Sequence, residues 1–508
     1  MRYVASREEM QNIDAYSINT MGIPGIVLME KAALALEEVF LERVPTKSRV
    51  LIVTEKGNNG GDGLALGRLL LEDGYNVDFY EIGAIPHDSD SHQIQKHILE
   101  QMEADFLMKF PDEEYDVIVD AIFGVGLKRE VAGRHREVIE RLNQMEALKV
   151  AVDVPSGVDA SAGQILGIAF EADITVTFGL PKVGLLLYPG ADVSGEVIVK
   201  EIGFPNKAVE EIAPQMVSFT TDDLELLPER KAWTNKGSYG KVLLIAGSKN
   251  MAGAALLSGT AAYKSGSGLV RIFSCEENRV ILQEKLPEAI LTTYDSEEKA
   301  WELLPESLSW ASVIGIGPGI GQSAFARKLV KQVLTLGKAP LVIDADGLNN
   351  LAALLQEDTE LRQLFHEYEG GMILTPHLKE MSRLTGEEIA EIRSNLPKAA
   401  ASTADKGHVI VLKDARTIVS DGSVPSYINM SGNNGMATGG SGDVLTGIIC
   451  GFLAGGLDIL TAARLGVYCH GLAGDAAAKE KGYYSVLAGD LPNYLETILK
   501  WKHFPEEM

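Results

Sequence analysis

Cysteine is scarce in this chain, and its scarcity excludes two kinds of scaffold. The 508 residues include only three cysteines, and no two of them form a CxxC pair. Neither a disulfide framework nor a cysteine zinc site is therefore expected. Cys450 and Cys469 lie in apolar stretches typical of buried thiols, whereas Cys275 is isolated. This usage fits a reducing compartment, and we expect a cytoplasmic protein.

Basic residues and long apolar runs are also in short supply. Lys and Arg total 46 against 71 Asp and Glu, which gives a formal net charge of −25. Nucleic acid is excluded as a partner, because its phosphates need Lys and Arg to displace counterions. No apolar run reaches membrane length without glycine or charge, so we expect no membrane association. The opening residues, MRYVASREEM, do not resemble a signal peptide.

Glycine, by contrast, is concentrated in a few loops, above all in Asn433–Gly447 (NNGMATGGSGDVLTG). A helix that begins near Ser441 would point its free N–H groups and the positive end of its dipole at a bound anion. Asp443 would lie in the first turn of that helix. We interpret the stretch as a phosphate-binding loop that carries a carboxylate. The alternative is a ligand-free loop with an N-capping aspartate.

The first half of the chain has the pattern of a parallel α/β sheet. A Ser6–Glu9 capping box predicts a helix over roughly residues 6–20. The strand RVLIVT is followed by the loop GNNGGDG and a helical pattern, an arrangement typical of nucleotide sites in doubly wound sheets. Further strands are predicted at Asn76–Ile82, Asp116–Ala121, Lys149–Val152 and Asp173–Phe178, with helical patterns between most of them.

Polar side chains follow three of these predicted strands. Asn59, Asp120 and Ser156 offer oxygen ligands at strand ends, and such ligands suit a hard cation. Each has an ordinary alternative, since Asp, Asn and Ser also cap helices and fill turns. Because the carboxyl ends of parallel strands meet at one edge of a sheet, a shared site is the better interpretation.

The motifs GNNGGDG, DAIFGVGL, VDVPSGVD and FGLPKVGLLLYPG occur in this order, and together they resemble the epimerase domain of the bifunctional NAD(P)H-hydrate repair enzymes. The resemblance implies a Rossmann-like domain that interconverts the R and S epimers of hydrated NADH and NADPH, with K⁺ held by Asn59, Asp120 and Ser156. It implies substrate contacts at Asn58, Asn59, Gly60, Gly61, Asp62, Gly124, Val125, Gly126, Leu127, Lys128, Arg129, Glu130 and Asp153. Glu55 and Ala33 stand where the family usually has glycine.

Epimerisation at a hydroxyl-bearing carbon needs an acid and a base, because a bond must open and close again on the other face. We predict Asp153 as the base and Lys182 as a proton donor or charge stabiliser. The alternative for Lys182 is a solvated loop lysine.

The second half predicts a three-layer α/β/α domain. KGSYG suggests a glycine hairpin before a buried strand, and MAGAALLSGTAAYK suggests a helix of small residues. Later strands end in Asp344 and Asp346, in Thr-Pro-His377, and in a hairpin through Lys413–Arg416. The acids could be helix caps, His377 a structural histidine, and the basic pair a solvated hairpin tip.

The motifs KGSYGKVLLIAGS, GPGIG, DADGLN, TPHLKE, LKDART and GNNGMATGGSGD resemble the dehydratase domain of the same family, which is ribokinase-like. The resemblance implies removal of water from the S-hydrate with ADP in bacteria or ATP in eukaryotes. It places the hydrated nucleotide at Ala254, Gly319, His377 and Asp443, and the adenine nucleotide at Lys413, Asp414, Ala415, Arg416, Thr417 and Gly442. It also implies a homo-oligomer.

Superfamily logic suggests that Asp443 takes the hydroxyl proton as that oxygen attacks the terminal phosphate, with Mg²⁺ bridging the phosphates. ADP is favoured over ATP, because fusion of both domains in one chain looks prokaryotic. We place the epimerase domain at residues 1–215 and the dehydratase domain at residues 225–508. Two rival interpretations are a vitamin or sugar kinase and a catalytically idle nucleotide-binding or partner-binding protein.

Overall fold

The computed structural model describes residues 1–83, 89–405 and 407–500, which group into two compact units. One unit comprises Tyr3–Met216, and the other comprises the chain from Val217 onward together with Met1–Arg2. The final eight residues of the predicted dehydratase range, 501–508, lie outside the described residues. Within the described part of the chain, no helix is both long enough and apolar enough to span a membrane.

The N-terminal unit alternates strands with helices. Among its described residues, the strands are β1 (Arg2–Val4, at the division between the units), β2 (Arg49–Thr54), β3 (Asn76–Glu81), β4 (Val117–Ala121), β5 (Leu148–Val152), β6 (Ile174–Phe178) and β7 (Glu196–Lys200). The helices are α1 (Arg7–Asn19), α2 (Gly25–Arg43), α3 (Asn58–Glu72), α4 (Asp90–Gln101), α5 (Gly133–Gln144), α6 (Val183–Leu186), α7 (Gly190–Val193) and α8 (Asn206–Ile212).

The sheet of this unit is parallel throughout and follows the order β3-β2-β4-β5-β6-β7. The strands predicted above are present, with ends shifted by at most one residue. Every residue of β4 and β6 is buried, as expected for a parallel sheet covered on both faces. Because β2 lies between β3 and β4, the strand order reverses there, and the carboxyl ends open a crevice.

The predicted helix at the start of the chain is confirmed as α1. Ser6 is its N-cap, and both hydrogen bonds of the capping box with Glu9 are present. The second carboxylate oxygen of Glu9 also accepts the Gln215 N–H at 2.8 Å. The capping box therefore tethers the end of the unit to its first helix.

The C-terminal unit has more elements. In the described residues its strands are β8 (Met216–Ser218, at the division), β9 (Lys241–Ile245), β10 (Leu269–Cys275), β11 (Ile290–Tyr294), β12 (Val313–Ile316), β13 (Leu341–Ile343), β14 (Met372–Leu374), β15 (His408–Leu412), β16 (Ile418–Ser420) and β17 (Ser426–Ile428). The helices are α9 (Ala252–Lys264), α10 (Arg279–Lys285), α11 (Glu297–Trp310), α12 (Ala324–Leu336), α13 (Asp346–Glu357), α14 (Thr359–His366), α15 (Leu378–Thr385), α16 (Ile389–Ser394), α17 (Leu396–Thr403), α18 (Ser441–Ala454), α19 (Ile459–Lys481) and α20 (Leu491–Lys500). Short 3₁₀ helices occupy Thr221–Leu226, Lys236–Tyr239, Glu276–Asn278, Asn434–Met436 and Tyr483–Ser485.

The central sheet of this unit runs β17-β16-β15-β14-β13-β12-β9-β10-β11. Pairing is parallel from β11 to β15 and antiparallel for β15–β16 and β16–β17, so the predicted strand pair through Lys413–Arg416 is confirmed. The predicted hairpin at KGSYG is wrong. A 3₁₀ turn stands there, because the Asn235 side chain accepts the Gly237 N–H at 2.8 Å and caps it.

Helices α9 and α18 pack with their backbones nearly in contact. A Cβ on Gly447 would lie 2.2 Å from the Ser258 carbonyl oxygen, and one on Gly451 would lie 2.6 Å from the Ser265 Cβ. Only glycine fits at these two positions, since larger residues would push the helices apart. The small-residue pattern of α9 therefore serves close helix packing.

Candidate active sites

The N-terminal unit contains a cleft of about 680 Å³ at the carboxyl ends of β2, β4 and β5. Most of the predicted epimerase residues line it. They are Asn58, Asn59, Asp62, Gly124, Val125, Gly126, Leu127, Lys128, Arg129, Asp153 and Lys182. Gly60, Gly61 and Glu130 are not part of the lining. The structure thus brings together residues from four separate motifs.

Gly60 and Gly61 let the loop pack closely against neighbouring residues. A Cβ on Gly60 would lie 1.8 Å from the Glu55 carbonyl oxygen, and one on Gly61 would lie 2.4 Å from the Met29 Cε. Glu55, which replaces the usual glycine, is buried, and its Oε2 lies 2.6 Å from His135 Nε2. Ala33, the other departure, is fully buried. Both departures are therefore accommodated in the packed interior, Glu55 before the loop and Ala33 within α2.

Asp153 and Lys182 form a buried ion pair at the floor of the cleft. Asp153 has a φ of 65°, a strained left-handed conformation directly after β5. Lys182 Nζ donates to Asp153 Oδ1 at 2.6 Å, to Thr177 Oγ1 at 2.8 Å and to the Phe178 carbonyl at 2.7 Å. The lysine side chain is 1% exposed. The alternative of a solvated loop lysine is therefore wrong, and all three ammonium protons are engaged.

Two further carboxyl groups line the same cleft. Burial raises the pKa of Asp62 well above its ordinary value, and repulsion from Asp153 and Asp14 adds to the shift. Burial and the charge of Asp153 also raise the pKa of Asp14. Asp14 was not predicted from the sequence. The available signal was its position one turn after Met10, beside the inward stripe of α1.

The predicted cation ligands gather around the turn after β4. The Ser156 N–H and Oγ both donate to the Asp120 carboxylate at 2.7 Å, and Ser156 Oγ accepts the Phe123 N–H at 2.8 Å. Asn59 adjoins the same turn, since a Cβ on Gly124 would lie 2.6 Å from Asn59 Oδ1. Burial raises the pKa of the Asp120 carboxyl to about 6 against the opposing hydrogen bonds from Ser156.

In the C-terminal unit, Lys413 and Asp344 form a second buried ion pair. Their Nζ–Oδ1 distance is 2.7 Å, and Asp344 also accepts hydrogen bonds from Thr375 and Thr446 at 2.7 and 2.8 Å. Burial would raise the pKa of Asp344, but the Lys413 charge and these donors hold it below its ordinary value. Asp344 is thus a carboxylate that its hydrogen-bond and ion-pair partners hold in place at this site. The alternative of a helix cap does not describe it.

The glycine-rich loop leads into α18 as predicted. Gly440 is its N-cap with a φ of 95°, a left-handed conformation that suits glycine, and Asp443 lies in the first turn. A Cβ on Gly442 would lie 3.3 Å from Lys413 Nζ and 3.4 Å from Asp344 Oδ2. Burial raises the pKa of Asp443 to about 6, with repulsion from Asp344 and Asp346 adding to the shift and Lys413 opposing it.

The other predicted dehydratase residues flank this centre. A Cβ on Gly319 would lie 2.9 Å from the Ala254 Cβ, so these two residues are in contact. His377 is the N-cap of α15, where its Nδ1 accepts the Glu380 N–H at 3.1 Å, and Lys413 N donates to the Pro376 carbonyl at 2.8 Å.

The rest of the predicted nucleotide segment forms the tip that follows β15. Asp414 and Ala415 are exposed there. Arg416 donates to the Met430 carbonyl at 3.1 Å, and the Thr417 carbonyl accepts the Asn429 N–H at 2.9 Å. The basic pair is therefore not a solvated tip, because Lys413 binds Asp344 and Arg416 binds backbone.

Two ionisable groups beside this centre were also missed. His470 Nε2 lies 3.3 Å from Ser441 Oγ, and burial lowers the pKa of His470 to about 4. Burial raises the pKa of Glu380 to about 7. The spacing of His377 and Glu380 in a capping pattern was the available signal for the second group, whereas His470 lies in mid-helix, where the sequence gives no signal.

Two family models match the chain, one in each unit. A model described as YjeF-related protein N-terminus matches residues 25–184, and a model described as NAD(P)H-hydrate dehydratase matches residues 242–497.

Relatives match along nearly the whole length. The bifunctional NAD(P)H-hydrate repair enzyme Nnr of Moorella thermoacetica is 38% identical, with 98% of this chain and 97% of that protein covered. The enzyme of the same name from Thermofilum pendens is 36% identical, with 98% and 96% covered. A solved ribokinase-like superfamily protein from Enterococcus faecalis is 32% identical with a TM-score of 0.50, and covers 56% of this chain and 96% of its own.

Proposed function

The chain belongs to the bifunctional NAD(P)H-hydrate repair enzymes, and from this premise we propose how its two units divide the work. The N-terminal unit interconverts the R and S epimers of hydrated NADH and NADPH. The C-terminal unit dehydrates the S epimer to NAD(P)H at the expense of ADP, giving AMP and phosphate. The observation that carries this division is that each unit holds its own buried lysine–aspartate pair at the carboxyl edge of its own sheet.

In the epimerase cleft, Asp153 acts as the base. Its carboxylate faces the cleft. Lys182, by contrast, donates three hydrogen bonds from its ammonium group, to Asp153, Thr177 and the Phe178 carbonyl. Of the two roles predicted for Lys182, charge stabilisation is therefore the one that its contacts support. The proton donor is then Asp62, because burial and the charges of Asp153 and Asp14 raise its pKa and so favour its protonated form.

The Asp120 cluster fits K⁺. It offers oxygen atoms from Asp120, Ser156 and Asn59, and Asn59 Oδ1 lies beside Gly124 in the same turn. The buried Asp120 carboxylate accepts hydrogen bonds from Ser156 and from the Ile122 N–H, and none of the ion pairs among the described residues includes it. A monovalent cation would balance its charge and fix the turn that lines the substrate cleft.

In the dehydratase site, hydroxide must be converted into a better leaving group. Asp443 accepts the hydroxyl proton of the hydrate while that oxygen attacks the terminal phosphorus of ADP, and AMP leaves. Lys413 and the first N–H groups of α18 stabilise the phosphoryl charge. The nicotinamide ring nitrogen then expels phosphate, and loss of a proton from the neighbouring carbon restores the double bond.

Magnesium fits the charge balance of this site. Asp344 and Asp346 both raise the pKa of Asp443 by repulsion, and the charge of Lys413 opposes them. Three carboxylates around one ammonium leave an excess of negative charge that a divalent cation entering with the nucleotide would offset. ADP is proposed as the co-substrate, with ATP as the possible substitute. We further propose a cytoplasmic homo-oligomer, on the strength of the family resemblance.

The test follows absorbance at the reduced-nicotinamide band. Full-length protein is mixed with both epimers of hydrated NADH, ADP, Mg²⁺ and K⁺. We expect full recovery of the band in wild type, recovery of only the S half in Asp153→Asn, and none in Asp443→Asn. The two variants are matched controls, because Asp443→Asn should still epimerise the hydrate and Asp153→Asn should still dehydrate the S epimer.

Each alternative gives a different result. A stable phosphorylated product without NADH would support a kinase. Nucleotide binding without any turnover would support an idle binding protein. Near wild-type dehydration by Asp443→Asn, or near wild-type epimerisation by Asp153→Asn, would remove that residue from the mechanism.

A further inference from the structure

A cluster of two histidines and one aspartate lies in the C-terminal unit, away from the proposed chemistry. His366 is the last residue of α14, Asp405 precedes the turn into β15, and His408 is the first residue of β15. One ring nitrogen of each histidine and one carboxylate oxygen of Asp405 all lie within 4.8 Å of one another. Such a set of nitrogen and oxygen donors is typical of transition-metal sites.

One ring nitrogen of the buried member of this cluster has no hydrogen-bond partner among the described residues. His408 is 2% exposed, and its Nδ1 makes no hydrogen bond to any part of the chain that the structure describes. The backbone of Phe365 hydrogen-bonds the same ring, which leaves Nδ1 as the nitrogen with a free lone pair. Metal-bound histidines usually have this arrangement, with the second ring nitrogen held by a carbonyl.

The other two members are already close together at the surface. His366 Nδ1 lies 3.2 Å from Asp405 Oδ2. Ligand atoms in a tetrahedral zinc site with bonds of about 2.0–2.1 Å are about 3.3 Å apart. Both side chains are more than half exposed, at 60% and 57%, so they can shift toward His408 without disturbing the core.

We propose that His366, Asp405 and His408 bind one divalent transition-metal ion, with Zn²⁺ as the reference ion. Three protein ligands leave at least one coordination position for water. The ion ties the end of α14 to the start of β15. His408 and Lys413 stand at opposite ends of β15, about 16 Å apart at the usual rise per residue. The ion is therefore a clamp on the fold, separate from the magnesium of the reaction.

The experiment uses the full-length protein, stripped of metal with a chelator and then dialysed against Zn²⁺, with bound metal measured by elemental analysis. We expect one tight Zn²⁺ per chain. His366→Ala and Asp405→Asn should each weaken that binding by at least about tenfold, since removing even outer-shell partners of a metal costs about 10–100-fold. Both positions are exposed, so the variants should fold.

Two controls locate the ion. His97→Ala removes an exposed histidine of the N-terminal unit and should bind Zn²⁺ as wild type does. Asp443→Asn should also bind it normally, because the carboxylates of the dehydratase site are not its ligands. Zn²⁺ should raise the unfolding temperature of wild type and of both controls, but not that of His366→Ala or Asp405→Asn.

Replacement by Co²⁺ gives an independent signature. A site with two histidine nitrogens should produce visible absorption bands that vanish in His366→Ala. Less than stoichiometric Zn²⁺ in wild type would overturn the proposal, as would equal binding by wild type, His366→Ala and Asp405→Asn. Loss of Zn²⁺ in Asp443→Asn would overturn it too, by moving the ion to the dehydratase site.

Discussion

Both units contain a buried lysine–aspartate pair, but they present opposite members of it. In the N-terminal unit Lys182 is 1% exposed and Asp153 12% exposed, so the carboxylate faces the cleft. In the C-terminal unit Asp344 is 1% exposed and Lys413 21% exposed, so here it is the ammonium group that faces the site. The distances within the pairs are nearly equal, at 2.6 and 2.7 Å.

The difference follows from the chemistry each site has to perform. Opening and closing a bond at the hydroxyl-bearing carbon needs a carboxylate that is held in place to accept a proton, and the buried lysine holds it. Phosphoryl transfer needs positive charge directed at phosphate oxygens, and the buried aspartate fixes that charge. The same ion pair is used in two orientations, with the buried partner in each case serving as the support.

The largest expected effect separates the two lysines by function. Lys413→Met should lower the rate of dehydration by about 10²–10³-fold, the usual cost of losing one group that stabilises transition-state charge. Epimerisation by that variant should be unchanged. Lys182→Met should reduce epimerisation alone, because its lysine acts through Asp153. Steady-state assays of each activity check this, and loss of dehydration in Lys182→Met would break the comparison.

Stability should depend on which partner remains buried. Asp153→Asn leaves Lys182 charged and buried, and Lys413→Met likewise leaves Asp344 charged and buried. Each of these substitutions should therefore lower the free energy of unfolding by about 3–5 kcal/mol. Lys182→Met and Asp344→Asn leave the more exposed partner and should cost roughly 1–2 kcal/mol.

Guanidinium unfolding of the four variants measures this difference. The costlier substitution is at the aspartate in one unit and at the lysine in the other. If the same residue type were the costlier one in both units, the orientation of the pairs would not govern their energetics.

The smallest expected effect concerns pH. Asp443 must be ionised to act as a base, and burial raises its pKa to about 6. Dehydration should therefore fall about tenfold between pH 7 and pH 5 as that carboxylate takes up a proton. Epimerisation should instead fall as the pH rises through the raised pKa of Asp62, because that carboxyl group must stay protonated to donate its proton. Rate profiles of the S epimer and of the purified R epimer check this, and parallel profiles would contradict it.

Local features were well predicted from the sequence. Strands β2–β6 of the first sheet, the capping box at Ser6 and the start of α18 at Ser441 all depend on neighbouring residues, so periodicity and glycine placement were enough to find them. Strand β7 of that sheet was not predicted. The failure at KGSYG was also local, since the capping preference of Asn235 outweighed the glycines.

Long-range pairing was not predictable in the same way. Lys413 and Asp344 are 69 residues apart, and Lys182 and Asp153 are 29 apart. No single-sequence pattern states that a loop lysine will be buried, because burial depends on which strand ends come together. Asp14 was missed for the same reason, since the capping box predicts helix α1 but not that this helix reaches the cleft.

The close contact between α9 and α18 has a consequence for the entropy of the reaction. Gly447 and Gly451 hold the two helices in backbone contact. Ala254 lies near the start of one helix, and Asp443 in the first turn of the other. The separation between a proposed substrate contact and the proposed base is thus set when the chain folds. Aligning the hydrate with its base then requires little further loss of conformational entropy when the substrate binds. Folding therefore supplies this entropic contribution to the activation free energy before any ligand binds.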